Sequence, residues 1–136
     1  MNYADALFRI KDPFLGFNEL ECEWVAERSW TYKIDLPPVK DSGNGVRHVL
    51  AFDGLDTFAT VKLDGETILQ SDNMFIYHRV DITKKLKTSG GSILEIDFKP
   101  ALAEAQKIKD AHPEHKWVGF NGDMARLAVR KAQYHL

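Results

Sequence analysis

The stretch that most constrains the fold runs from Thr57 to Glu66. From Thr57 to Leu63 the residues alternate, with Ala59, Val61 and Leu63 on one face and Phe58, Thr60 and Lys62 on the other. Period-two alternation is the pattern of a strand with one face buried. Asp64-Gly65 follows directly. Both residue types tolerate positive φ, so they suit the two-residue turn whose twist matches its flanking strands. A loop of those two residues sets Leu63 opposite Glu66 and Val61 opposite Ile68, with Ile68 completing the apolar stripe. Upstream, Val46 to Phe52 reads as a further strand, and Asp53-Gly54 as a short turn into the hairpin.

The remaining segments extend this all-β reading. Ala4 to Ile10 suits a short helix that Asp12-Pro13 stops, because a residue before proline is pushed out of the helical region. Asn18 is placed to cap a helix running to about Ala26. Glu21 lies three residues on, in capping-box spacing, and Leu20 and Trp24 form an i,i+4 apolar pair. Trp30, Tyr32, Ile34 and Leu36 alternate with Thr31, Lys33 and Asp35, which predicts a strand ended by Pro37-Pro38. Lys40 to Gly45 is a loop by composition. Phe75 to Ile82 reads as a strand, Thr83 to Lys87 as a turn or one helical turn, and Ile93 to Phe98 as a strand with Leu94, Ile96 and Phe98 on one face. Pro100 fits the first position of a helix. Ala101 to Ala111 has high helix propensity and a stripe of Ala101, Ala105 and Ile108, with Leu102 beside it. His112-Pro113 ends it, Lys116 to Met124 is an aromatic loop, and Ala125 to Tyr134 predicts a closing strand. Short strands separated by turns, with one or two peripheral helices, predict a β-sandwich.

With 136 residues the chain suffices for one domain with a sizeable core. A formal net charge of −2 provides no basic field for nucleic acid or an anionic membrane. The cluster Lys84-Lys85-Leu86-Lys87 reads as solvated surface. No apolar run approaches the roughly 20 residues of a bilayer span. Met1-Asn2-Tyr3 opens a mixed polar segment without a leader-like apolar stretch, so the chain itself leans to an intracellular expectation. The one cysteine, Cys22, excludes an internal disulfide and has no identifiable activating partner, which favours an inert buried thiol.

Candidate chemistry is sparse. Glu19, Glu21 and Glu23 read as the start and wet face of a helix. Asp53, Asp56 and Asp64 fall in turns, where aspartate bonds the local backbone. His112-Pro113-Glu114-His115 sets two imidazoles three apart, but zinc wants three or four ligands and the proline breaks helical presentation, so an exposed loop is the expectation. His48, His78 and His135 are scattered. No acidic loop has calcium spacing, and there is no serine-nucleophile, phosphate-loop or nucleotide motif. No metal, no cofactor and no catalytic residue is assigned. Aromatic faces and planar polar side chains are the remaining groups that could hold a ligand. Trp117, Phe120 and Asn121 sit together in a loop, with a cap on the core as the first reading; Trp24 and Trp30 read as core.

Gly54-Leu55-Asp56-Thr57-Phe58-Ala59-Thr60-Val61, then Leu63-Asp64-Gly65, then Asp72-Asn73-Met74-Phe75, resemble the sugar-binding domain of glycoside hydrolase family 2, above all that of β-mannosidases of the fungal type. Asp12-Pro13-Phe14-Leu15-Gly16, Asn18-Glu19, Trp30-Thr31-Tyr32 and Arg130-Lys131-Ala132-Gln133-Tyr134-His135 extend the resemblance over nearly the whole chain. It implies a jelly-roll β-sandwich of the galactose-binding-like type. It also implies retaining hydrolysis of terminal β-mannosides by two glutamates about 5–5.5 Å apart, both on a separate (β/α)8 barrel. No residue here matches their motifs, so residues 1–136 are expected to form a single non-catalytic domain, inactive alone and cut short at both ends. Related chains have a further strand before the equivalent of Ala4 and a Trp-Asp-containing run after His135. The expected partners are a mannoside or manno-oligosaccharide and the barrel of a full-length chain. Arg130, Gln133 and Tyr134 match the segment that leads into the active-site rim, with an ordinary closing strand as the other reading. Two alternatives stand beside the enzyme-domain reading: a free-standing carbohydrate-binding module, and an interaction domain without a ligand.

Overall fold

The computed structural model describes residues 11–39, 45–119 and 122–132. The expected helix at Ala4 to Ile10 lies outside them, as do Phe120, Asn121, Gln133, Tyr134 and His135.

Among the described residues, six strands form two antiparallel sheets: β1 (Trp30–Leu36), β2 (Val49–Phe52), β3 (Ala59–Leu63), β4 (Glu66–Ser71), β5 (His78–Asp81) and β6 (Ser92–Phe98). One sheet has the order β1-β6-β3-β4, and the other pairs β2 with β5. The expected β-sandwich is thus present. In the larger sheet β3 is an inner strand. Val61 lies opposite Ile96 of β6, and Leu63 opposite Leu94. The β3 alternation is realised as predicted: Ala59, Val61 and Leu63 are buried, Thr60 and Lys62 only partly so. With Leu55, Ile82 and Leu94 they form the core, and Leu50, Phe52 and Val80 of the smaller sheet pack against it.

The turn at Asp64-Gly65 forms as expected, with φ of 51° and 84°. Leu63 faces Glu66, but Val61 faces Leu69 rather than Ile68. A register shift between Val61 and Lys62 inserts one extra residue in β4, the signature of a β-bulge. Ile68 and Leu69 both pack against the core as a result.

The outer face of the larger sheet carries opposed charges across strands. Lys33 reaches Glu95 at 3.0 Å, and Lys62 reaches Asp97 at 2.6 Å. Asp97 also accepts from the Thr31 hydroxyl at 2.6 Å. The Lys62 ammonium, hydrogen-bonded to it, holds the Asp97 carboxyl below the usual carboxylate range, and the same bond raises Lys62. Asp64 is lowered by the Ile93 amide and by Lys87, and Asp81 by the Thr83 hydroxyl and amide and by Arg47. A depressed carboxylate stabilises the fold above its unfolded value of about 3.9, and that contribution is lost as pH falls through the folded value. A raised lysine stabilises below its unfolded value of about 10.4 and loses this as pH climbs through the folded value. The urea midpoint is therefore expected to be flat near neutrality, to fall below about pH 4 and to fall again above about pH 10.4. Asp97→Asn should flatten part of both flanks; identical profiles for variant and parent would remove this pair as a contributor.

Several elements differ from expectation. Asn18 is not a cap but the first residue of α1 (Asn18–Cys22), which Phe17 precedes and no side chain caps. The Asn18 amide instead donates to the Asp12 carbonyl at 2.9 Å, and Glu21 pairs with Lys11. A single 3-10 turn, Glu23–Val25, continues the segment. Leu20 is exposed, and Trp24 and Trp30 are half-buried against each other, ring centroids 5.9 Å apart, outside the core. None of the α1 side chains is buried. Cys22 is half-buried, its thiol 3.8 Å from the Lys11 carbonyl. Of the expected strand at Phe75 to Ile82, only His78–Asp81 pairs. Pro100 precedes rather than begins α2 (Ala101–Ala111), because its ψ of 119° is extended. The predicted closing strand is a 3-10 segment, Met124–Ala128, followed by one parallel bridge from Arg130 to Asn73. The Asp123 carboxylate accepts from the Ala125 amide and starts that segment as a helical cap.

Candidate functional site

Three segments that stand apart in sequence meet at one end of the sandwich. They are the turn after β2 (Asp53–Thr57), the turn after β4 (Asp72–Tyr77) and the segment Val129–Ala132. Gly54 holds the first two together. A Cβ built there would lie 2.6 Å from the Met74 carbonyl oxygen, so only glycine permits this approach. Two contacts tie in the third: the Met74 amide donates to the Arg130 carbonyl at 3.0 Å, and the Ala132 amide donates to the Met74 side-chain sulfur at 2.8 Å.

Arg130, the one predicted site residue among the described residues, stands exposed on this rim. Its Nη2 reaches the Asp72 carboxylate at 3.1 Å. The neighbouring Lys131 reaches Asp56 at 2.9 Å. Asp56 also accepts a short hydrogen bond from the Thr57 hydroxyl, and Thr57 is buried. Asn73 serves as a turn residue, its Oδ1 accepting from the Phe75 amide at 2.9 Å. Asp53 pairs with Arg79 at 2.9 Å. The sequence reading of Asp53 and Asp56 as carboxylates that bond the local backbone is replaced by bonds to the Arg79, Lys131 and Thr57 side chains. It overlooked the pairing of adjacent cations, Arg130 and Lys131, with two acidic turns. No local sequence signal marks these pairs, because the partners lie 58 and 75 residues apart.

Beside Arg130 the chain exposes a continuous apolar run: Phe75, Ile76 and Tyr77 are 61%, 46% and 72% accessible. On the flank of Lys131 and Asp56 opens a solvent-facing cleft of about 400 Å³, walled by Trp30 and Phe98 and lined by Arg28 and Arg126. Trp30 is anchored there by its indole N–H, which donates to the Val25 carbonyl at 2.8 Å. The Arg28 guanidinium lies 5.1 Å from the Trp24 ring centroid. An aromatic wall with guanidinium and carboxylate groups is chemistry suited to a polyhydroxylated ligand. Among the described residues, no group of three His, Cys, Asp or Glu side chains gathers within ligating range on this rim. Trp117 sits elsewhere, half-buried against His115.

Comparison with known proteins follows the same segments. The family model for the glycosyl hydrolase 2 galactose-binding domain-like family matches residues 5–136. β-Mannosidase B of Emericella nidulans is 59% identical over 128 residues, and that of Aspergillus flavus 55%. Each alignment covers 93% of this chain and 15% of the relative, so the chain spans about a seventh of the curated relatives' length. Among solved structures, the β-D-mannosidase of Dictyoglomus thermophilum superposes with a TM-score of 0.83 at 30% identity, over 96% of this chain and 16% of that one. The exo-chitosanase of Amycolatopsis orientalis gives 0.55 at 26% identity, over 71% of this chain and 11% of its own. By sequence over nearly its full length, and by fold, the chain belongs to the galactose-binding-like domain family of the family 2 glycosyl hydrolases.

Proposed function

We propose that this chain acts as the non-catalytic sugar-binding-type domain of a β-mannosidase, packing beside a catalytic barrel and shaping the pocket for a terminal β-mannoside. The observation that carries the reading is the convergence of Gly54–Thr57, Asp72–Phe75 and Arg130 into one rim, in a chain 59% identical to a β-mannosidase over that length. The exposed run Phe75–Tyr77 beside Arg130 supports packing against a neighbouring domain, since contiguous apolar surface of this kind marks an interface. Arg130, with Gln133 and Tyr134 just beyond it, faces the substrate entrance in this reading. The Asp72 pairing orients the guanidinium toward sugar hydroxyls.

The test has two arms. The chain alone should release no p-nitrophenol from p-nitrophenyl β-D-mannoside; saturable hydrolysis would defeat the non-catalytic reading. In a full-length β-mannosidase carrying this domain, Arg130→Ala should raise KM for the same substrate several-fold, with kcat changing less, as expected when ground-state and transition-state binding fall together. Unchanged KM and kcat would take Arg130 off the substrate rim. The cleft at Trp30 and Phe98 favours a second reading, in which the domain alone binds sugar. Saturable mannose binding to the isolated chain, lost in Trp30→Ala, would establish it.

A further inference from the structure

Away from the rim, at the far end of α2, His112, Glu114 and His115 bring one ligand atom each to within 4.8 Å of one another. We propose that these three side chains form a binding site for a divalent transition metal, zinc in the first instance.

The geometry comes from the proline that ends the helix. His112 precedes Pro113 and leaves the helical region, with φ −126° and ψ 62°. The chain then folds into a single turn, in which the His115 amide donates to the His112 carbonyl at 3.1 Å. Proline suits the second position of such a turn. The turn puts its first and fourth residues side by side, so the two imidazoles meet as they would across one turn of helix. Their ring centroids are 5.4 Å apart. Glu114 stands between them, with Oε1 2.9 Å from His112 Nδ1 and 3.9 Å from His115 Nε2. Its hydrogen bond to His112 holds the Glu114 carboxyl below the usual range.

Two imidazoles and a carboxylate are a zinc-type donor set, whereas calcium and magnesium take oxygen ligands. Donors at about 2.0–2.1 Å from a tetrahedral metal lie about 3.4 Å from each other. The two Glu114 contacts already straddle that separation. All three side chains are half or more exposed, so closing the remaining gap needs only small side-chain rotations. The metal takes the place of the hydrogen bond between His112 Nδ1 and Glu114 Oε1, with the neutral imidazole carrying its one N–H at Nε2 by exchange through solvent. The negative end of the α2 dipole favours a cation at this position. Lys109 and Lys116 flank the site in sequence and work against it, so the three donors rather than the net field set the affinity. Water completes the coordination, leaving a site open on one side.

Trp117 provides the readout. His115 packs edge-on against it, ring centroids 5.8 Å apart, so a metal on His115 perturbs the indole. Titrating the tag-free chain with zinc chloride should give one metal per chain by calorimetry, together with a saturable change in tryptophan emission. Cobalt should give the visible absorption band of a tetrahedral site. His112→Ala and His115→Ala should each weaken zinc binding at least about tenfold, the lower bound seen for loss of groups that merely support a ligand. Glu114→Gln should weaken it less. Circular dichroism melting of each variant checks that its fold is kept. Absence of saturation up to about 1 mM zinc, or a double His112→Ala/His115→Ala variant that binds as the parent does, would overturn the proposal.

Discussion

Replacing Val61 with aspartate should unfold the domain or leave it on the edge of stability. Val61 is fully buried, with no accessible surface, on an inner strand between Leu69 and Ile96. Its neighbours along β3 on that face, Ala59 and Leu63, are buried and apolar too. The cluster that holds it is apolar, so a carboxylate there would be ionised in apolar surroundings or forced to take up a proton. Leaving an uncompensated charge inside costs about 3–5 kcal/mol, against a total stability of about 5–15 kcal/mol for an ordinary domain. Val61→Ala is the control. It removes two methyl groups and leaves a small cavity, at about 1–3 kcal/mol. Urea unfolding followed by far-ultraviolet circular dichroism distinguishes the two. A Val61→Asp chain that unfolds at the parental midpoint would mean that Val61 does not sit between the sheets.

That prediction was legible from sequence alone, because alternation and turn chemistry in Thr57–Gly65 agree and nothing competes with them. The failures share a physical cause: the local pattern was satisfied by more than one partner. Ile68 and Leu69 are both apolar, so the pattern cannot tell which faces Val61, and a bulge lets both pack inward. Asn18 has the spacing of a helix cap, but the Asp12 carbonyl, six residues back, takes its amide. Phe75, Ile76 and Tyr77 are apolar enough to read as strand, yet they are exposed, and their exposure is what recommends them as an interface. The site shows the same division. Composition and spacing gave no reason to single out Arg130; resemblance to family 2 domains did. The partners Asp72 and Asp56 become visible only when the fold brings positions 58 and 75 residues apart into contact. At His112–His115 the proline ends helical presentation as expected, while the turn it starts sets the two imidazoles side by side.

The second large effect is expected at Gly91, and its neighbour separates the causes. Gly90 and Gly91 both have positive φ, 76° and 75°. An L side chain in that region costs about 1–2 kcal/mol. At Gly90 nothing lies within 4 Å of a built Cβ, so Gly90→Ala should cost about that much and no more. At Gly91 the same Cβ would lie 2.5 Å from the Leu36 carbonyl oxygen, a backbone atom that no side-chain rotation can move. Leu36 lies opposite Ser92 at the end of the β1–β6 ladder, so relief requires that edge strand to shift. Gly91→Ala therefore adds the cost of overpacking, about 1–3 kcal/mol, to the conformational penalty. A denaturation midpoint for Gly91→Ala well below that of Gly90→Ala would show that β1 is pinned against the loop. Equal midpoints would show that β1 yields freely. A free β1 would also change the reading of its inward residues, Tyr32 and Ile34, which are 58% and 55% exposed. If β1 is pinned, those two side chains stand in a fixed apolar strip at the sandwich edge, ready for a neighbouring domain to cover without any ordering cost.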